Sequence, residues 1–174
     1  DWRLRRNLGI ALGSASIVAC ALFSAFSLGG WAARLIAVGQ AALLAAAGAS
    51  DLRRFHLPLP LTLSGLVFAV AVAVATRAPA LVTVFALTWA LIVILLHALA
   101  SKGSMQLGDH LATIWIALAA PFNGLLAVAL GDLANIALAQ MRGLRGKRVA
   151  VAGAWLILAA GLIGLPPYFV WFAD

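Results

Sequence analysis

Apolar residues run along this chain in long blocks separated by short polar interruptions. Segments 7–33, 55–76, 78–101 and 149–173 contain no Asp, Glu, Lys or Arg, and each reaches the roughly 20 residues that a bilayer-spanning helix needs. The pattern predicts seven helices. The first covers 8–28 and stops at Gly29-Gly30, a turn signal. The second begins at Trp31 or Arg34 and closes at Ser50-Asp51. A polar loop, 51–60, is ended by Pro58 and Pro60, and the third helix covers 61–76. After Arg77-Ala78-Pro79 the fourth covers 80–100, followed by a glycine-bearing loop, 101–108. The stretch 109–141 would be about 50 Å long as one helix, too much for one crossing. Pro121-Phe122-Asn123-Gly124 divides it into a fifth helix, 110–120, and a sixth, 125–141. A basic loop, 142–148, leads to a seventh helix over 149–170.

Composition strengthens this reading. Of 174 residues, 65% are hydrophobic and 10% charged, against roughly 45–50% apolar and 25% charged in an average soluble domain. The polar gaps are too short to enclose a second core. The expected fold is therefore all-α, a polytopic integral membrane helical bundle of about seven transmembrane helices, with 1–174 a single membrane domain. Residues 1–30 are an additional N-terminal helix and 31–174 a six-helix core. Trp2-Arg3-Leu4-Arg5-Arg6 before an apolar run imitates a signal peptide, but the run leads straight into further spans, so it is read as a retained first helix.

Charge then orients the bundle. The net charge of +7 would suggest nucleic acid in a soluble chain. Here the cations lie in loops, where they set orientation and meet anionic lipid headgroups; membrane lipids are the expected partner, and nucleic acid is not. With the N-terminus cytoplasmic, inner segments hold ten Lys and Arg (Arg3, Arg5, Arg6, Arg53, Arg54, Lys102, Arg142, Arg145, Lys147, Arg148), and outer turns hold two, Arg34 and Arg77. The C-terminus is then outside. Merging the fifth and sixth helices would move the richest basic loop outward, so the rule itself favours the split. Cys20 is the single cysteine, which leaves no intrachain disulfide, cysteine zinc cluster or redox pair, and its expected role is packing.

The candidate chemistry rests on few residues. There is no Glu, and the acids are Asp1, Asp51, Asp109, Asp132 and Asp174. Asp51 and Asp109 fall on the same face, each at a membrane boundary, one out-and-back pair of helices apart. Two carboxylates that meet in a low dielectric cannot both ionise, and would share a proton. An aspartyl peptidase needs that arrangement: one carboxylate takes a proton from water while the other donates to the scissile carbonyl. Plainer readings stand beside it. Asp109 opens a helix, where a carboxylate is a favourable cap. Asp51 closes one, where the helix dipole disfavours it, and Arg53 and Arg54 would make it an interfacial ion pair.

In these residues the chain resembles the type IV prepilin peptidases, intramembrane aspartyl enzymes with a G-x-G-D motif. Asp51, Arg53, Arg54, Leu57-Pro58 and Leu61-Thr62-Leu63 fall in the register of the first family motif. Gln106-Leu107-Gly108-Asp109-His110-Leu111 supplies the Gly-Asp core of the second. The resemblance covers helices two to seven in order. The chain departs from the pattern at Leu59 (family Asn), Gln106 (family Gly) and Leu111 (family Lys). Lacking paired C-x-x-C cysteines, it is similar to the short form without the methyltransferase module.

The resemblance implies an aspartic endopeptidase of the prokaryotic cytoplasmic (inner) membrane, multi-pass, acting in type IV pilus assembly or pilin-like secretion. It would cleave the leader of prepilins or pilin-like proteins at the cytoplasmic membrane edge. Asp51 and Asp109 would be catalytic; Gly108, Pro58, Arg53, Arg54, Gln106 and His110 would bind substrate or support the site. No metal and no cofactor is called for, and the oligomeric state is left open.

Other polar residues have competing readings. Asp132 and Asn135 share a helix face and, with Gln40, form either a proton or ion path or an interhelix hydrogen bond. His97, Asp109 and His110 match no strong metal-ligand spacing. His56 reads as a headgroup or substrate-leader contact. Ser101, Ser104 and His97 have no oxyanion motif beside them. Gly103 and Gly108 suggest a mobile loop over the site. The alternatives to a peptidase are a proton- or cation-coupled membrane transporter using Asp132, Asp51 and Asp109, and a catalytically inactive prepilin-binding relative.

Overall fold

The structure is a computed structural model describing residues 2–27, 30–100, 106–141 and 151–165. Lys102, Gly103, Ser101 and Ser104, the basic loop with Arg142, Arg145, Lys147 and Arg148, and the expected end of the seventh helix lie outside the described residues. Every regular element described is a helix: α1 (Trp2–Ser27), α2 (Trp31–Arg54), α3 (Leu59–Ala75), α4 (Ala80–Ala100), α5 (Leu107–Ala119), α6 (Asn123–Met141) and α7 (Val151–Leu162). Three are long and apolar enough to cross a membrane: α2, α4, and α1 over Arg6–Phe26. By contrast α5 has 13 residues, about 20 Å at 1.5 Å per residue. Its short backbone is shielded, because Thr113, Trp115, Ile116 and Ala117 are buried inside the bundle.

Three boundaries differ from the sequence reading, each for a local reason. Helix α2 continues to Arg54 and stops where Phe55 turns left-handed (φ 53°), its N–H reaching the Asp51 carbonyl at 2.7 Å. Asp51 therefore sits in the last helical turn and not in a loop. Helix α3 starts two residues early, because Pro58 serves as its N-cap and Pro60 occupies the first turn, where a missing N–H costs nothing. Helix α5 starts at Leu107, since Gln106 caps it in a capping box with Asp109.

The helices alternate in direction. Gly9 approaches Ala49 and Gly13 approaches Ala45, so α1 runs antiparallel to α2. Gly48 faces Gly153, so α7 begins beside the end of α2. Pro121 marks a reversal: its carbonyl accepts the Trp89 indole N–H at 2.7 Å. Asn123, at the head of α6, donates to the Leu162 and Leu165 carbonyls (3.1 and 2.8 Å) at the far end of α7. Splitting 109–141 at this proline is thus correct.

The core is small and close-packed: Ala37, Ala41, Leu44, Trp115, Trp155, Leu156 and Ala160 are fully buried, and Cys20 packs among them. Outside it, large apolar side chains face outward, including Leu81 at 81% and Leu99 at 70% exposure on α4 and Val74 at 72% on α3. An apolar outer surface around a small-residue core is what a bilayer solvates and water does not.

Candidate functional site

One end of the bundle gathers the end of α2 and the starts of α3, α5 and α7. Asp51 is buried there, with 4% exposure. Its partner is a backbone donor: the Gly153 N–H, in the first turn of the described α7, reaches Oδ2 at 2.8 Å. The C-terminal end of α2 disfavours a carboxylate, but the N-terminal turn of α7 offers the positive end of its dipole and a peptide N–H. The Gly153 backbone N–H holds this carboxylate at the end of α2, where Arg53 and Arg54 are exposed. The approach needs glycine at 153: a Cβ there would stand 3.0 Å from Asp51 Oδ2 and 3.1 Å from the Gly48 carbonyl oxygen.

Asp109 is the third residue of α5. Its Oδ2 accepts the Gln106 N–H at 3.1 Å, while the Gln106 side chain accepts the Asp109 backbone N–H. The expectation of a helix cap at Asp109 is thus met in a modified form, with Gln106 as the N-cap and Asp109 as its reciprocal partner. The cap fixes one carboxylate oxygen and aims the other away from it.

The chain between α2 and α3 ties these two halves together. After the left-handed turn at Phe55, His56 Nδ1 lies 3.4 Å from Gln106 Oε1. Buried Leu57 lies on Gly108, where a Cβ would come within 3.1 Å of the leucine Cβ. Gly108 thus allows the close approach of the α2–α3 connection to the head of α5. Burial acts most on both carboxylates; the charge on Asp109 acts less on Asp51, and His56 acts on both. His110 and His97 also act on Asp109, and the buried His110 Nε2 has no hydrogen-bond partner among the described residues. Pro58 stands at the head of α3 next to this junction.

On α6, Asp132 departs from its expected partner. Gln40 accepts the Trp115 indole N–H at 3.0 Å, away from Asp132. Asp132 instead accepts the Trp155 indole N–H at 2.9 Å and lies 3.1 Å from His97 Nε2. The interhelix hydrogen bond expected of Asp132 is present with these partners. His97, weighed as a metal ligand with Asp109 and His110, is engaged with Asp132.

Gly153 escaped the sequence reading, and so did the Gln106 partner of His56, which was read as a headgroup or substrate-leader contact. Gly153 acts through its peptide N–H, which leaves no side-chain signature. His56 acts through a contact 50 residues away along the chain, for which its place between a basic pair and a proline gave no specific signal. Comparison of the chain with family models, curated proteins and solved structures gives no match.

Proposed function

We propose that the chain is an intramembrane aspartyl endopeptidase with Asp51 and Asp109 as its catalytic pair. The observation that carries this reading is their convergence: two acids from the end of α2 and the start of α5 lie within electrostatic reach of one another, each with one oxygen already held by a backbone N–H. Backbone donors hold one oxygen of each carboxylate, and on this reading the pair carries one proton between them. The protonated member donates to the scissile carbonyl oxygen and the ionised member takes a proton from the attacking water. Collapse of the tetrahedral adduct then returns a proton to the leaving nitrogen, giving one carboxyl and one amino terminus.

The substrate reading follows from resemblance to the type IV prepilin peptidases and from charge. Among the described residues, Arg3, Arg6, Arg53 and Arg54 lie at the site end of the alternating bundle, and Arg34 and Arg77 at the other. On the positive-inside rule the site end is cytoplasmic and the seven helices cross the inner membrane of a prokaryote. A prepilin places its basic leader on that side and its apolar helix in the bilayer, so the bond between them lies at the depth of the site. Gly108, Pro58, Gln106 and His110 shape the site, and Arg53 and Arg54 stand on its exposed rim.

The transporter reading is less well supported, because Asp132 is committed to Trp155 and His97 and the other two acids lie at one end. The test is co-expression with a pilin-like protein encoded beside this chain. The wild type should shorten it by the length of its leader and Asp109→Asn should leave it full length. Full-length pilin with both would refute the peptidase reading.

A further inference from the structure

Helix α7 is held on two sides by two carboxylates. Gly153 and Trp155 are two residues apart, roughly 200° around a helix of 3.6 residues per turn, so they look in nearly opposite directions. Gly153 gives its N–H to Asp51 on α2 at 2.8 Å, and Trp155 gives its indole N–H to Asp132 on α6 at 2.9 Å. The second contact is built in detail. Gly131, beside Asp132, has no room for a Cβ because the Trp155 ring lies against it. Trp155 itself is fully buried. Its ring meets the His97 imidazole edge-on at 4.9 Å between centroids. His97 in turn gives its Nδ1 hydrogen to the Val93 carbonyl at 2.9 Å, which fixes the ring on α4 and turns Nε2 toward Asp132. Nε2 lies 3.1 Å from the Asp132 carboxylate.

We propose that Asp132 is a positioning residue for Asp51: by accepting the Trp155 N–H while braced by His97, it fixes the rotation of α7 and so keeps the Gly153 N–H on the Asp51 carboxylate. The catalytic consequence rests on the peptidase reading; the mechanical one does not. The mechanism needs an acceptor at position 132, not a charge. Asn there keeps an oxygen for the indole and an amide for Nε2. Leu keeps the bulk and loses both bonds. Trp155→Phe keeps a smaller aromatic ring near Gly131 and removes the donor together with part of the buried ring volume.

The experiment follows the Gly153 amide in 15N-glycine-labelled full-length protein in detergent micelles, its signal identified by its displacement in Asp51→Ala. Amide exchange is measured in wild type, Asp132→Asn, Asp132→Leu and Trp155→Phe, and pilin cleavage is measured on the same preparations. Exchange should speed up by about 5–10-fold in Asp132→Leu and Trp155→Phe, the loss expected when one net hydrogen bond stops holding the helix. In these two variants kcat should fall by a similar or larger factor with KM little changed. Asp132→Asn should restore both quantities to near the wild-type values. Should Asp132→Leu not fold, Trp155→Phe carries the same comparison. An unchanged Gly153 amide in Trp155→Phe would overturn the proposal. So would an Asp132→Asn variant as impaired as Asp132→Leu, which would make the charge essential and favour a relay. Cleavage surviving in Asp51→Asn and Asp109→Asn would instead refute the peptidase reading, and the amide measurement would still decide the positioning role.

Discussion

A methyl group at position 153 would meet the Asp51 carboxylate at 3.0 Å and the Gly48 carbonyl oxygen and Leu52 at 3.1 Å, so these neighbours would have to give by a few tenths of an ångström. Gly153→Ala should therefore shift the carboxylate and lower pilin cleavage, by less than the roughly 10²-fold of a 1 Å misplacement at a reacting group. The comparison is cleavage rate at equal amounts of membrane-inserted protein, and an unimpaired variant would remove Gly153 from the site. At this scale the sequence was legible where chemistry resides in side chains. Asp51 and Asp109 stand out in a chain with five acids and no Glu. Gly153 was not legible, because a peptide N–H is common to almost every residue and only the fold decides which one meets a carboxylate. Cys20 is fully buried, as its apolar setting suggested. Its thiol should resist a water-soluble maleimide in the folded protein and label fully after denaturation, and rapid labelling of folded protein would contradict the packing of α1 on α7.

Helix existence and order were legible because long apolar blocks have one membrane-compatible backbone. Helix ends were not, because they depend on caps formed by residues distant from the apolar pattern. Gln106 begins α5 as a cap although it interrupts the G-x-G-D register, and Phe55 ends α2 in a left-handed turn that its side chain does not advertise. Gln106→Ala removes the side-chain half of the capping box, and should cost about 1 kcal/mol of stability. It should also loosen Asp109, the reciprocal partner, so cleavage should fall with it. Thermal unfolding and cleavage in one detergent check both effects; unchanged values would show that the box neither stabilises α5 nor orients Asp109. The departure at 106 thus acquires a structural role, since glycine there would lack the oxygen that meets both the Asp109 N–H and His56.

The described helices alternate in direction, and among the described residues Arg3, Arg6, Arg53 and Arg54 lie at the end that carries the two carboxylates. Charge alone suggests a loop parity, whereas the convergence of α2, α3, α5 and α7 on one site was not readable, because apolar periodicity says nothing about which helices become neighbours. In a Cys20→Ala background, a cysteine at position 145 should label only when a membrane-impermeant reagent reaches the cytoplasmic side. Labelling from outside intact cells would contradict the seven-helix orientation. The central claim is that Asp51 and Asp109 act as one unit, and the most direct test is pilin cleavage by Asp51→Asn, Asp109→Asn and the double variant, each checked for membrane insertion. If the pair shares one proton, each single substitution should lose as much activity as the double, because residues that act together lose their function together. Substantial cleavage by either single variant, with losses that multiply in the double, would mean two independent carboxylates and contradict the account.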